Sequence, residues 1–445
     1  MTVRKFSTPL AVGLALLLAV SGVAPAGAVT AGSDSGEACT TTRAVRKPTN
    51  LGWSRTSGGE VRISWRPADS CNTGFRIHLA LEHIDRQGAL VVKVSANASS
   101  VVLGASTLRS LRAPIGSGRH FNVRIQAVYG SNTSVLTSSV VASAGQPNSG
   151  PAAGATPVRV AAYNLAFTPG MSSARLRAQR PRVAKQIVAS HSAVVALTES
   201  VVLRGRDNTQ LGSLLAQVRS AQKKTGKSAS WRLTRSTRYA RPGITSGGDG
   251  TRILYDAKKV KLLSSCRNTT GKLKYSSSCA IKLPRVGGGI YQRWAAIAKF
   301  QDRATGQKFW FVSVHPEVRK GGTFDRNRRA QIDKVTSTVA KKNMAHEPVV
   351  IAGDLNLSQT RSTDLSTLNS RFISRGYIDA ATAKSALNLK YQTYNGWKRQ
   401  VAMKSGYAGR IDHIYVRGNA YLESYKTVLS SASDHNLIRA TLWLK

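Results

Sequence analysis

Hydrophobic residues follow two different rhythms along the chain. In the first third, apolar and polar positions alternate in short runs at 61–65 (Val-Arg-Ile-Ser-Trp), 75–79 (Phe-Arg-Ile-His-Leu), 89–94 and 121–129, separated by clusters of Gly, Ser, Asn and Pro. A period of two marks a half-buried strand, and a succession of such runs broken by turn residues predicts an all-β sandwich. After residue 157 the apolar runs are denser, at 158–162, 194–197, 252–255, 295–300, 309–314, 349–352, 411–416 and 437–444. Between them, 175–189 and 325–342 carry apolar residues at helical spacing beneath basic outer faces. Strands mixed with helices in this way predict an α/β layered domain. The two regions meet in 142–156, uncharged and rich in Gly, Ala, Ser and Pro, which reads as a flexible connector. No internal repeat stands out at a fixed period.

The first 28 residues have another layout: Arg4 and Lys5, an apolar run at 10–20, then Ala26-Gly27-Ala28. That order matches a secretory signal with a small-residue cleavage site, so the mature chain is expected to begin near Val29. No other stretch has the roughly eighteen uninterrupted apolar residues a membrane helix needs, so the expected product is secreted, extracellular and soluble, without a transmembrane segment. The expected division is therefore a signal at 1–28, a sandwich at 45–145, a linker at 146–156 and the layered domain at 157–445. Pro48, Trp65 and the run 123–129 resemble a fibronectin type III module, and this region holds no cluster of His, Asp, Glu or Cys suited to chemistry. It is read as a spacer or adhesion element.

Four cysteines, Cys39, Cys71, Cys266 and Cys279, occupy a chain expected outside the reducing cytosol, where an even count favours disulfides. Of the three pairings, the local ones, Cys39 with Cys71 and Cys266 with Cys279, each close a modest loop within one domain. Neither pair has zinc-ligand spacing.

Charge narrows the environment. The 445 residues contain 65 Lys+Arg against 21 Asp+Glu, a formal charge of +44 and a pI near 11.1, with 41% hydrophobic residues. The apolar content is that of a folded protein, which excludes collagen-like, coiled-coil and mucin-like classes as well as a disordered basic tail. Residues 29–150 hold 13 basic and 6 acidic side chains, and 151–445 hold 50 and 15, so the excess lies downstream. Such a surface binds polyanions, whether nucleic acid, anionic lipid or wall polymer.

In this acid-poor half, polar residues recur where apolar strands stop. Asn164 follows the first strand, Glu199 the second, His315 the run 311–314, and Asp354 with Asn356 the run 349–353; Asp412 lies in Arg410-Ile411-Asp412-His413 and Asp434-His435 just before the last strand. Strand ends are where layered α/β domains place their sites. Converging carboxylates on an apolar floor repel one another unless a hard cation or a histidinium neutralises them.

The ordered set Ala162-Tyr163-Asn164, Ala196-Leu197-Thr198-Glu199, Ser313-Val314-His315, Gly353-Asp354-Leu355-Asn356, Arg410-Ile411-Asp412-His413-Ile414 and Ser433-Asp434-His435 strongly resembles the endonuclease/exonuclease/phosphatase superfamily, the deoxyribonuclease I-like proteins, over roughly 158–445. The resemblance implies a four-layer α/β sandwich, two mixed β-sheets flanked by helices, and phosphoester hydrolysis assisted by Mg²⁺ or Mn²⁺ at one edge. It implies Glu199 as the principal metal ligand with Asn164 beside it, and Asp354 and Asn356 orienting the phosphate and the attacking water. His435, held by Asp412 or Asp434, would act as general base or stabilise the pentacovalent charge, with His315 facing it. Arg293 would contact the phosphate. Which histidine is acid and which base stays open.

Three places depart from the family pattern: Pro316-Glu317 replaces the usual Leu after His315, 231–250 is mostly basic where a carboxylate orienting that histidine is expected, and the loop 266–279 has no family counterpart.

The superfamily includes nucleases, inositol-phosphate phosphatases and sphingomyelinases, so charge must indicate the substrate. Lys223-Lys224, Arg232 with Arg235, Arg238 and Arg241, Lys258 with Lys259 and Lys261, and Arg326 with Arg328 and Arg329 supply phosphate contacts, and Trp231, Tyr239 and Trp294 are expected to stack on bases. The leading expectation is a monomeric secreted metal-dependent nuclease acting on DNA, with RNA as a further substrate, its basic surface or front module also adhering to the cell envelope. A sphingomyelinase-type phospholipase C, whose bilayer hairpin would be 287–291, is the alternative, and a non-catalytic polyanion-binding adhesin the remote one.

Overall fold

A computed structural model of the chain describes residues 44–444 apart from 81–89, 114–119, 139, 144–150, 152–154, 169–170, 201–206, 229, 235–249, 265–279, 287–291, 384, 399, 401 and 404–407. Residues 1–28, read from the sequence as a signal, together with Cys39, Cys266, Cys279, Arg235, Arg238, Tyr239, Arg241 and residues 287–291, lie outside the described residues.

The front region is built from two antiparallel sheets. Thr49–Arg55, Val61–Arg66 and Ser100–Leu103 form one; Leu90–Ser95, Gly74–Ala80, His120–Tyr129 and Asn132–Thr133 form the other, with Val140–Ser143 also paired to His120–Tyr129. Strict alternation explains the packing. Val61, Ile63 and Trp65 point into a core shared with Phe75, Ile77, Leu79, Phe121, Val123 and Ile125. Trp65 meets Phe75 edge-on, ring centroids 5.2 Å apart. Among the described residues the region also holds a short helix, Ala105–Ser110, that the alternation did not signal. Ala142 and Ser143, placed in the connector by composition, complete the last strand because Ala142 pairs with Phe121 and is buried. Arg55 donates to the carbonyls of Thr382 and of Ala383, the latter at 2.9 Å, which fastens the first strand to the layered domain.

The layered domain has two mixed seven-stranded sheets. The first runs in the order Trp231–Leu233, Arg252–Asp256, Val194–Ser200, Pro157–Phe167, Leu437–Leu444, Ala420–Val428, Ser385–Leu387. The second runs Val260–Leu262, Trp294–Asp302, Lys308–Ser313, Val349–Asp354, Asp412–Arg417, Ile378–Asp379, with Ala280–Lys282 also paired to Trp294–Asp302. Each central strand is apolar on both faces, as a sheet covered on both sides requires. Val158, Val160, Ala162, Phe309, Phe311, Val350, Ala352, Ile414 and Val416 fill the space between the sheets. Ala161, Tyr163, Val195 and Leu197 turn outward to Leu176, Val183 and Ile187 of helix Ser173–Ala189 and Leu214 and Val218 of helix Asp207–Lys223. On the far side, Ile297, Val312 and Ile351 meet Ile332, Val335 and Val339 of helix Gly322–Lys342 and Leu368 of helix Ser362–Arg371. The result is an α/β/β/α four-layer sandwich. No helix among the described residues is long and apolar enough to cross a membrane.

Candidate active site

The alternation that builds the inter-sheet core also builds the site. Continuing the series Val158-Val160-Ala162, Phe309-Phe311, Val350-Ala352 and Val416-Ile414 by one or two steps reaches Asn164, His315, Asp354 and Asp412, all at one edge of the two sheets. Glu199 is out of step, since Val195 and Leu197 face the helices. A register shift between Thr198 and Ser200 and a left-handed backbone at Glu199 (φ 48°) re-aim it. Asn356 is likewise left-handed (φ 54°). Such conformations are costly for residues with a Cβ and gather at functional sites.

Gly353 makes the close approach possible. A Cβ there would stand 2.1 Å from the carbonyl oxygen of Val314, so the strand bearing Asp354 can lie against the one leading to His315 only with glycine at this position.

Asp412 Oδ2 accepts from His435 Nδ1 at 2.8 Å, both side chains buried. Of the two candidate partners for His435, the structure therefore selects Asp412. The imidazole's other nitrogen, Nε2, lies 3.8 Å from Asp354 Oδ2 and 3.4 Å from Asn164 Nδ2. Asp354 accepts from Asn164 Nδ2 at 3.1 Å and from the Asn356 backbone N–H at 2.9 Å. His315 Nε2 stands 3.6 Å from the same Asp354 oxygen. Glu199, His315 and Asp354 each offer a ligand atom within 4.8 Å of the others, as do Asp354, Asp412 and His435.

Electrostatics separates the histidines. Burial pulls the His315 imidazole well below its usual range, and Arg293 and His435 push it further, so it is neutral. Burial also opposes a charge on His435, but Asp412, then Asp354 and Asp434, outweigh it and raise its pKa to about 10. Burial and the facing Asp412 push Asp354 up to about 6, against the pull of His435, Asn356 and Asn164.

Other predicted residues stand back. Arg293 is buried and donates from Nη1 to the main-chain oxygen of His315 at 3.1 Å. The Asp434 side chain contacts Ser433 Oγ (3.3 Å), and its carbonyl oxygen accepts from the backbone of Asn395 and Gly396. Glu317 is occupied by Arg319 and Asn327, which holds the unusual loop after His315 against helix Gly322–Lys342. Two expectations about the binding surface are corrected. Trp231 is only 2% exposed, packed in the core under the first sheet, and cannot stack on a base. Arg328 is fully buried, bound to Asp325 and to the Glu317 and Arg319 carbonyls, and cannot reach a phosphate.

Sequence reasoning missed the residues that hold the site's second rank. Thr393 Oγ1 accepts from the backbone N–H groups of Ile411 (3.0 Å) and Asp412 (3.1 Å). Ser433 Oγ donates to the Asn164 carbonyl at 2.7 Å and accepts from the His435 N–H at 3.2 Å. The Tyr394 ring stands edge-on to His435, centroids 5.1 Å apart. The one signal for this segment was the turn dipeptide Asn395-Gly396.

The model of the endonuclease/exonuclease/phosphatase family matches residues 161–435. Among solved structures, the chain is similar to an endonuclease/exonuclease/phosphatase from Bacteroides vulgatus (20% identity, TM-score 0.46, 65% of this chain and 100% of that one). It is similar also to a mannosyl-6-phosphatase from Bacteroides thetaiotaomicron (16%, TM-score 0.47, 64% and 99%). A third is the human Nocturnin catalytic domain with bound sulfate (15%, TM-score 0.44, 65% and 95%). No curated protein matches. With more than half of its length matched by one family model, and that model spanning Asn164 to His435, the chain belongs to the endonuclease/exonuclease/phosphatase family of phosphoesterases.

Proposed function

We propose that this protein is a secreted, divalent-metal-dependent phosphodiesterase that cleaves nucleic acid, DNA first and RNA as well. The observation that carries the hydrolytic reading is the buried Asp412–His435 contact facing Asp354, Asn164 and Glu199 at the sheet edge.

The donor set suits a hard cation. Glu199 and Asp354 supply carboxylate oxygens, with the Asn164 amide bonded to Asp354 beside them, while among the described residues the buried atoms Asp412 Oδ1 and His315 Nδ1 have no hydrogen-bond partner. Glu199 and Asn164, with Asp354 beside them, would hold Mg²⁺ or Mn²⁺. Bound there, such an ion supplies Lewis-acid polarisation of a phosphoryl oxygen and acidifies a water.

The side chains supply the rest. Asp412 fixes the orientation of His435, whose cationic ring faces the position where negative charge develops on the phosphate. Asp354, held in place by the Asn356 N–H, would orient the phosphate and the attacking water. His315, neutral, can exchange a proton with the leaving group. These charge states favour His435 as the stabiliser of the pentacovalent charge over His435 as the base.

Substrate choice rests on charge. Residues 151–445 carry 50 basic and 15 acidic side chains, and the exposed Lys258, Arg232 and Arg326 suit a polyphosphate backbone better than one small phosphoester. The front two-sheet region is read as a fibronectin type III-like module that presents the enzyme at the cell envelope. The test is hydrolysis of plasmid DNA, single-stranded DNA, RNA and sphingomyelin vesicles by the same preparation in Mg²⁺ over a range of salt. Cleavage of nucleic acid that falls steeply with salt is expected; choline-phosphate release without nucleic-acid cleavage would move the assignment to a phospholipase C.

A further inference from the structure

We infer that Tyr394, Trp397 and Arg175 form a stacking subsite for the nucleobase flanking the scissile phosphate, so that the protein prefers strands whose bases can leave the stack. The inference rests on the nucleic-acid reading above and specifies which part of the substrate is held.

Tyr394 is paired by an isolated bridge to His435, and its ring packs edge-on against the imidazole, yet 48% of the residue is exposed. Three residues on, at most about 10 Å along the chain, Trp397 is 36% exposed. Tyr394 thus stands against the buried Asp412–His435 pair, with the partly exposed Trp397 following it in the same turn.

The turn that presents them is held in an unfavourable conformation. Gly396 (φ 58°) and Trp397 (φ 64°) are both left-handed, and for a bulky residue that is a rare state that surrounding contacts must impose. The contacts are present: the Asn395 and Gly396 N–H groups donate to the Asp434 carbonyl at 2.6 and 3.1 Å, Asn395 Nδ2 donates to the carbonyls of Ser430 and Ser433 at 3.1 Å, and the Trp397 N–H donates to Asn395 Oδ1 at 2.8 Å. Every anchor but the last belongs to the segment that carries His435. Packing of the core does not require an indole there, because Trp397 is not buried.

Arg175, in the first turn of helix Ser173–Ala189, places its guanidinium 4.5 Å from the Trp397 ring centroid. The pair combines a π face with a positive charge. A base and its phosphate match both features. A quaternary ammonium headgroup also binds aromatic faces, but Arg175 brings like charge to the same ring and repels it.

The test uses the full-length protein in Mg²⁺ with an eight-nucleotide oligothymidylate and an oligomer of equal length built from base-free tetrahydrofuran nucleotides. Trp397→Ala is expected to raise KM for oligothymidylate about ten-fold with kcat within about two-fold. Trp397→Phe should recover most of that loss, and all three proteins should behave alike on the base-free oligomer. Equal kinetics of wild type and Trp397→Ala on oligothymidylate, or an equal loss on the base-free oligomer, would overturn the subsite while leaving the nuclease reading intact. A wild-type protein that cleaves neither oligomer overturns the nucleic-acid reading and the subsite with it; Trp397-dependent choline-phosphate release from sphingomyelin vesicles would then identify an ammonium headgroup as the occupant.

Discussion

Asp354 and Asp412 are direct cross-strand partners in the antiparallel pairing of Val349–Asp354 with Asp412–Arg417, and both are buried. Like charges opposite one another destabilise a sheet. Here the cost is offset by His435 at 2.8 Å from Asp412 and by the Asn164 and Asn356 donors to Asp354. His435 thus supplies the positive charge that two facing carboxylates require. Replacing Asp412 by Asn should leave the fold and substrate KM close to wild type and lower kcat roughly a thousandfold or more, because the imidazole loses both orientation and charge support. Steady-state kinetics on a plasmid or oligonucleotide measures it.

Stability in the metal-free protein should carry the mark of the same pair. The His435 pKa is raised from 6.5 to about 10, so its stabilising contribution is fully present below pH 6.5 and is lost as pH rises towards 10. In EDTA, wild type should lose on the order of a few kcal/mol relative to Asp412→Asn across this window. Urea midpoints of the two proteins between pH 6 and 10 give the difference directly, and parallel curves would contradict it.

Gly353→Ala should damage the site through the backbone. The added methyl would meet the Val314 carbonyl at 2.1 Å in a strand whose neighbours cannot move. A loss of about 3 kcal/mol or more is expected from overpacking and strain together, with activity falling in the fraction that still folds. Thermal unfolding and kinetics on the same sample check both parts.

Arg410, two residues from Asp412, should behave differently. Its guanidinium bonds Asp379 Oδ2 at 2.9 Å with both side chains buried, and its N–H donates to Gln359 Oε1. Breaking one side of a buried pair costs about 3–5 kcal/mol, so Arg410→Ala should lose stability by that order, with KM unchanged in the folded fraction. An Arg410→Ala protein of wild-type stability would contradict this assignment.

How much of this was legible in the sequence depended on range. Runs such as Val349-Val350-Ile351-Ala352 announced their strands because both faces are buried, and the polar residue ending each run announced the edge. Ala420–Val428 was silent because Glu423 and Lys426 interrupt it and a register shift between Leu422 and Ser424 breaks the alternation. Helix Asp207–Lys223 was silent because, among its described side chains, the buried apolar residues are only Leu214 and Val218. At the sheet edge, the meeting of Asn164, Glu199, Asp354 and His435 was readable from the polar residues that end the strands, whereas the pairing of His435 with Asp412 rather than Asp434 depends on which way a loop presents a side chain. Trp231 and Arg328 were misread because charge and aromatic content carry no information about burial. Tyr394 and Trp397 were missed because their placement comes from a turn anchored forty residues downstream, a long-range hydrogen-bond pattern without local periodicity.

The most direct test of the central claim is nicking of supercoiled plasmid by the purified protein with Mg²⁺, with EDTA, and as Glu199→Ala. The account predicts nicking that disappears with EDTA and falls by several orders of magnitude in Glu199→Ala, while binding to the plasmid persists in both. Nicking that survives EDTA or the loss of Glu199 would show that the sheet-edge cluster is not the site of metal-assisted hydrolysis.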